Sequence, residues 1–324
     1  MTTNTANTLD RLRRASLGRE RADQLLDMLE VSTALSGDTG PGVSRGVLAQ
    51  ALNMVLFDDL LARAPSARAH VHDRLKNGEK VVHDHSVVAT IASPHVGSLP
   101  IGREALGRVL VPLGFVESGS RRSWEGGVTE HTYLHADHPD DIAGFVVVEV
   151  HPHWFSRGFQ AAAERVVQSS RDPLQAATAW LTALQSEGTV ELADAIAILR
   201  ALVACFDRQH ATPSLDDYDL LRRESAEMAW IATEGNAVMQ VAQRVAESNK
   251  RGPAVLRGDI SEPVDLLLLE PAYVERPFRD SEGRMIGAPV PGPSLKLVRR
   301  EGRRSPAPTW FEPDQDLAMC AALA

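Results

Sequence analysis

The chain has 324 residues, a formal net charge of −9 and 44% hydrophobic residues, so it can form one large or two modest globular domains. Such an acidic composition disfavours a nucleic-acid-binding surface, and no apolar run approaches the roughly 20 residues that cross a bilayer. We therefore expect a small-molecule ligand and neither a nucleic-acid nor a membrane partner. The two cysteines form no metal or redox motif and the first residues show no signal-peptide pattern, which predicts a cytoplasmic protein.

The first 77 residues are expected to be helical. Apolar residues recur at helical spacing from Leu9 to Leu35, and Gly37 with the Gly40-Pro41-Gly42 turn should end that helix. Ser44 is a suitable N-cap for a second helix that ends before Pro65. We expect this segment, residues 1–77, to pack on the core of the protein.

The stretch from Val81 to Ile91 combines β-branched residues with the sequence His-Asp-His. It predicts a strand, and strict alternation would place His83 and His85 on one face and Asp84 on the other. Polar side chains inside a sheet need partners or a ligand. One histidine could face a metal or a substrate; the alternative is one satisfied buried histidine and one exposed one.

The rest of the pattern predicts an α+β fold. Strands are expected near residues 81–91, 113–118, 129–136, 144–151, 235–242, 264–270 and 294–299. They should form a curved, mostly antiparallel sheet around a central cavity, in a domain over 78–300. A helical insert over 157–232 and the N-terminal helices should cover the sheet, because their apolar faces need a surface to bury. Residues 301–324 read as a tail.

Four segments, taken together and in order, resemble the family of 2-oxoadipate dioxygenase/decarboxylases. They are Asp84-His85, Phe145-Val-Val-Val-Glu149, the run from Asp216 to Trp230 that leads to Gly235-Asn236, and Val290-Pro-Gly292. The resemblance implies a core similar to that of vicinal-oxygen-chelate enzymes, wrapped around a ferrous ion held by two histidines and a glutamate. Such a triad leaves coordination positions open for dioxygen and a 2-oxo acid.

This sequence matches one of the three implied ligands. His85 stands at the first position, directly after the aspartate. Gln240 stands where the resemblance implies the second histidine, Lys296 where it implies the glutamate, and Ala89 where it implies an arginine for the substrate carboxylate. An amide is a weak neutral ligand and an ammonium group repels a metal cation, so this set predicts no firm iron binding.

Two interpretations of the altered positions are open. In the first, the pocket works without a metal, and His85, Gln240 and Lys296 form the catalytic group. Lysine would bind an anionic substrate or act as an acid or base, and side chains on neighbouring strands would contribute to substrate binding. These are His131, Glu149 and His151.

In the second interpretation, Fe²⁺ is retained through substitute ligands. These would come from His85, His131 or His135, together with Glu149 or His151, and His85, His135 and Glu149 are the preferred set. Against both interpretations, Gln240 and Lys296 could be ordinary surface residues.

Three functions correspond to these alternatives. The leading one is an enzyme with a metal-free pocket that acts on a small anionic or amino-acid-like substrate in specialised biosynthesis, with elimination or cyclisation open as its chemistry. The second is an Fe(II)-dependent oxidative decarboxylase of a 2-oxo acid. The third is a silent relative that binds a ligand or a partner subunit, and a homodimer is also open.

Overall fold

The computed structural model of the chain describes residues 7–37, 42–123, 126–245, 264–269 and 271–299. Its α-helices are α1 (Thr8–Leu17), α2 (Arg19–Met28), α3 (Thr33–Ser36), α4 (Arg45–Arg63), α5 (Pro65–Lys76), α6 (Glu104–Leu110), α7 (Arg157–Val167), α8 (Thr178–Glu187), α9 (Leu192–Ala204), α10 (Leu215–Leu221) and α11 (Ala226–Glu234). Its strands are β1 (Val43–Ser44), β2 (Val82–Ile91), β3 (Phe115–Ser123), β4 (Val128–His135), β5 (Gly144–Val150), β6 (Thr189–Val190), β7 (Val238–Arg244), β8 (Val264–Leu269), β9 (Tyr273–Arg279), β10 (Met285–Pro291) and β11 (Ser294–Arg299).

Within these ranges, seven strands form one sheet in the order β3-β4-β5-β2-β7-β11-β8. The pairings β2–β5 and β7–β11 are parallel, and the other four are antiparallel. The sheet has β3 and β8 at its edges and is not closed into a barrel. The predicted α+β class with a mostly antiparallel sheet is confirmed, and each of the seven predicted strands lies in this sheet, although some ends are shifted.

Apolar clusters lie on both faces of the sheet. One cluster joins α1, α4, α6 and α9 to a face that includes Val88, Phe145 and Val147. The other joins α7, α10, α11 and the β9–β10 hairpin to the face that includes Ala89 and Val148. Helices of the predicted N-terminal segment and of the predicted insert therefore both bury their apolar sides against the sheet, as expected.

The helical prediction needs two corrections. The expected helix from Leu9 to Leu35 is three helices, because Gly18 has φ +79° and Ser32 caps a new helix. A left-handed glycine ends a helix at little cost, and the apolar spacing on both sides conceals the break. Ser44 caps α4 as predicted, but α5 follows directly from Pro65, since proline fits the first turn of a helix. Part of the predicted turn, residues 40 and 41, lies outside the described residues.

A bulge in β2 overturns the expected alternation of its histidines. His83 pairs with Gln243 and His85 with Ala242, so Asp84 is an extra residue on β2. His83 contacts the ring of Phe57 in α4, whereas His85 belongs to the opposite face. The prediction that His83 and His85 share a face was wrong, because one inserted residue reverses the direction of all side chains before it.

The sequence analysis also missed the β9–β10 hairpin, which contains Pro277, Pro289 and Pro291. These prolines lie in a separate two-stranded antiparallel pair, where a missing N–H is tolerated. The division into 1–77, 78–300 and 301–324 stays a prediction, and residues 301–324 lie outside the described ranges. Among the described helices, none is both long and apolar enough to cross a bilayer.

Candidate functional site on the His85 face of the sheet

Strand register places three predicted catalytic residues on one face of the sheet. His85 pairs with Ala242 across β2 and β7, and Ala242 pairs with Lys296 across β7 and β11. Paired residues point the same way, so these side chains form one row, with about 10 Å between the Cα atoms of His85 and Lys296. Gln240 lies two residues before Ala242 and therefore on the same face. A small ligand can thus touch all three positions.

Gln240 is held by a neighbour in the next row of this face. It pairs with Ser294 across β7 and β11, and its Nε2 donates a hydrogen bond of 2.9 Å to Ser294 Oγ. Ser294 is buried. One amide N–H is therefore committed to the fold, and this bond directs the amide carbonyl of Gln240 away from Ser294, where it can meet a ligand.

Asp84 fixes the protonation pattern of His85. The carboxylate is fully buried, and its Oδ2 lies 2.8 Å from His85 Nδ1. Its Oδ1 accepts a hydrogen bond of 3.0 Å from Nε of Arg244. A carboxylate that pairs with arginine is an acceptor, so Nδ1 carries a proton, and the neutral form of this ring has its lone pair on Nε2. His85 is therefore oriented as a base or a ligand through Nε2.

The chemistry of this side-chain set does not fit a divalent cation. His85 Nε2 is a good ligand, the Gln240 carbonyl is a weak neutral one, and the Lys296 ammonium group repels a cation. Two imidazoles and a carboxylate would bring one negative charge to the metal, whereas this set brings one positive charge. At a few ångströms, and with water partly excluded, that difference is worth several kcal/mol against the metal.

The substitute ligand set is not brought together. Glu149 lies five residues after Gly144, the β5 partner of His85, and so points to the opposite face. His135 is fully buried, and its Nδ1 accepts the backbone N–H groups of Asp137 and His138 at 3.2 Å. In the ranges that the structure describes, no set of three or more His, Cys, Asp or Glu side chains is placed to hold a metal.

His131, Glu149 and His151, the predicted substrate-binding residues, meet each other but not His85. Nε2 of His131 lies 3.5 Å, and Nε2 of His151 3.8 Å, from Oε2 of Glu149. His131 is 7% exposed in its side chain. The three form a cluster on the opposite face of the sheet, next to the segment that leads into α6.

Glu117 and Arg103 complete that cluster. His131 Nδ1 lies 3.0 Å from one carboxylate oxygen of Glu117, and the other oxygen pairs with the Arg103 guanidinium at 2.6 Å. The backbone N–H of Arg103 donates a hydrogen bond of 2.8 Å to Glu149. Burial alone would lower the pKa of His131, but its hydrogen bonds to Glu149 and Glu117 outweigh it and leave the pKa raised. Burial would raise the pKa of Glu149, but His131 and the Arg103 N–H leave it lowered. His131 lies between two carboxylates, and Arg103, which contacts both of them, ties the α6 segment to the sheet.

No protein-family model and no curated protein matches the sequence. A solved structure described as that of a glyoxalase superfamily protein from Ralstonia eutropha JMP134 does match, at 37% identity and a TM-score of 0.85, over 91% of this chain and 95% of the other. The chain belongs to the glyoxalase superfamily. Two hydroxyglutarate synthases in complex with 2-oxoadipate also share its fold. The Oryza sativa structure has a TM-score of 0.56 at 11% identity, over 81% of this chain and 85% of its own. The Pseudomonas putida structure has a TM-score of 0.53 at 13% identity, over 81% of this chain and 66% of its own.

In this glyoxalase superfamily protein, sequence reasoning missed Asp84 and Arg244 as parts of the site. Asp84 was expected on the far face, and only the bulge turns its carboxylate onto the neighbouring imidazole. Arg244 lies four residues after Gln240 on the same strand, so the alternation of β7 was a usable signal for its face.

Proposed function

We propose that this glyoxalase superfamily protein is an enzyme that transfers a proton on a small carboxylate substrate, without a metal ion at the His85 position. The observation that supports it most is the Asp84–His85 pair, which lies in the same row of the sheet as Lys296. A base with a fixed tautomer and a cation lie on neighbouring strands, which is the arrangement that proton abstraction next to a carboxylate or carbonyl requires.

Each side chain has a separate role in this proposal. The Lys296 ammonium group binds the carboxylate as a point charge. Nε2 of His85 takes a proton from carbon or returns one, and Asp84 stabilises the imidazolium that forms. The Gln240 carbonyl accepts a hydrogen bond from a hydroxyl or amino group of the substrate. Isomerisation, elimination and cyclisation can each begin with such a proton transfer.

Hydrogen–deuterium exchange tests this proposal without knowledge of the final product. In D₂O, the protein should exchange the hydrogens beside the carbonyl group of a short 2-oxo acid such as 2-oxobutyrate, measured by proton NMR. Lys296→Ala should weaken binding of the acid by about 10-fold or more, because the charged partner of its carboxylate is lost. Lys76→Ala is the matched control, since Lys76 is a highly exposed lysine paired with Asp73.

Two results would contradict the proposal. Equal binding by wild type and Lys296→Ala would make the lysine an ordinary surface residue. Binding without exchange, unchanged in His85→Gln, would make the protein a binding relative and not an enzyme.

A further inference from the structure

On the face of the sheet around His85, polar and apolar side chains occupy separate halves. In the row next to His85, strand pairing joins Val146 to Val87, Val87 to Gln240, and Gln240 to Ser294. The half of this face on β7 and β11 is therefore polar, and the half on β2 and β5 is hydrocarbon. His85 lies at the boundary between the two halves.

The hydrocarbon half continues beyond Val87 and Val146. Both valines are partly exposed and pack against an apolar cluster that contains residues of α7, α10, α11 and the β9–β10 hairpin. Ala89 and Val148 follow them on the same face and are buried at 0% and 6% exposure. A ligand that extends from His85 away from Lys296 therefore meets only aliphatic side chains on these two strands.

We infer that the substrate is a monocarboxylate with an apolar body, whose carboxylate binds Lys296 and whose body lies on Val87 and Val146. The inference rests on the proposed function and adds the class of substrate to it. A second carboxylate at the far end would lose water against two valines, and the described residues paired with those valines across the sheet, Gln240 and Thr132, offer it no positive charge. Aliphatic or aromatic carbon at the same place gains from burial.

A matched pair of acids tests this inference. 2-Oxohexanoate and 2-oxoadipate have the same six-carbon chain and the same 2-oxo acid group, and differ only in a methyl group or a carboxylate at the far end. Isothermal titration calorimetry at pH 7.5 should show 2-oxohexanoate binding about 10-fold more tightly. Val146→Lys should reverse this preference, because it places a cation under the far end.

Val146→Thr keeps the shape of valine and is the second test variant if Val146→Lys does not fold. It should weaken 2-oxohexanoate about 3-fold and leave 2-oxobutyrate, which is too short to reach the valines, unchanged. If 2-oxoadipate binds as tightly as 2-oxohexanoate or more tightly, and Lys296→Ala removes both, the substrate class is wrong and the proposed anion site stands. If neither acid binds in a manner that depends on Lys296, the inference and the proposed function are both wrong.

Discussion

The two faces of the seven-stranded sheet both carry histidines next to carboxylates, but they use them differently. On the α6 side, both nitrogens of His131 face a carboxylate, and Arg103 contacts both of these acids. On the other side, the Asp84 carboxylate orients His85 through Nδ1, and the row continues to Lys296. The first arrangement commits the histidine to the fold, whereas the second sets a tautomer for chemistry. Substitutions should therefore cost stability on the α6 side and activity on the His85 side.

The largest effect is expected for Glu149→Gln. Removing this charge leaves the His131 ring with one carboxylate and weakens the acceptor of the Arg103 N–H, so we expect a loss of about 3 kcal/mol in the free energy of unfolding. Urea denaturation measures it. Glu130→Gln on β4, which breaks a largely exposed pair with Arg121 on β3, should cost less than about 1 kcal/mol. Equal costs for the two variants would contradict a structural role for the cluster.

Acid should destabilise the protein through His135. Burial lowers the pKa of His135 from 6.5 to about 4, so the unfolded chain binds this proton first. The stability from the neutral ring is complete above pH 6.5 and decreases as the pH falls towards 4, by up to about 3 kcal/mol. The pKa of His131 is raised, so its effect on stability has the opposite pH dependence. Its contribution to the free energy of unfolding is complete below pH 6.5 and is lost as the pH rises through the pKa of the folded state. His135→Gln should flatten the acid limb of a pH series of urea denaturations, and a limb as steep as that of wild type would contradict this assignment.

Asp84→Asn should reduce the α-proton exchange rate by about 100-fold. An asparagine amide can donate to Nδ1, which moves the imidazole proton to Nε2 and removes the base. Nitrogen-15 NMR of the His85 ring reports this change of tautomer directly, whether or not the natural substrate is known. Asp73→Asn, on an exposed helical position, is the control. An unchanged His85 spectrum in Asp84→Asn would show that Asp84 does not set the tautomer.

The smallest effect on folding is expected for Lys296→Ala. Lys296 is only partly buried, so its removal should change the free energy of unfolding by less than about 1 kcal/mol while it weakens carboxylate binding. Lys296→Glu should raise the affinity of the site for a divalent cation, because it adds a carboxylate in the row of His85. A large loss of stability in Lys296→Ala would place this lysine with the structural residues of the other face.

Sequence reasoning succeeded where a pattern extends over many residues. The β-branched runs of β2 and β5 and the valine-rich core predicted the sheet, and the resemblance located His85, Gln240 and Lys296 on strands that prove to be neighbours. Sequence reasoning failed where a single residue changes the direction of the backbone or of the side chains next to it. The bulge at Asp84 reverses His83 and creates the Asp84–His85 pair, and no local composition marks it. The left-handed Gly18 divides the first helix in the same unmarked way.

The separation of the two histidine groups could not be predicted either. His85, His131 and Glu149 each lie on a predicted strand, and strand pattern alone does not reveal which faces they share. The register between β2 and β5, with His85 opposite Gly144, decides it. Register depends on pairing between segments nearly 60 residues apart, which the pattern of one segment does not contain.

The metal content of the purified protein tests the central claim most directly. We predict that protein purified without chelator contains less than about 0.1 mole of iron, manganese or zinc per mole, because a neutral amide and a lysine accompany His85 at this site. Elemental analysis by mass spectrometry measures it in wild type and in His85→Ala. Stoichiometric iron in wild type that is absent from His85→Ala would contradict the account, and would show that His85 recruits other ligands to hold a metal.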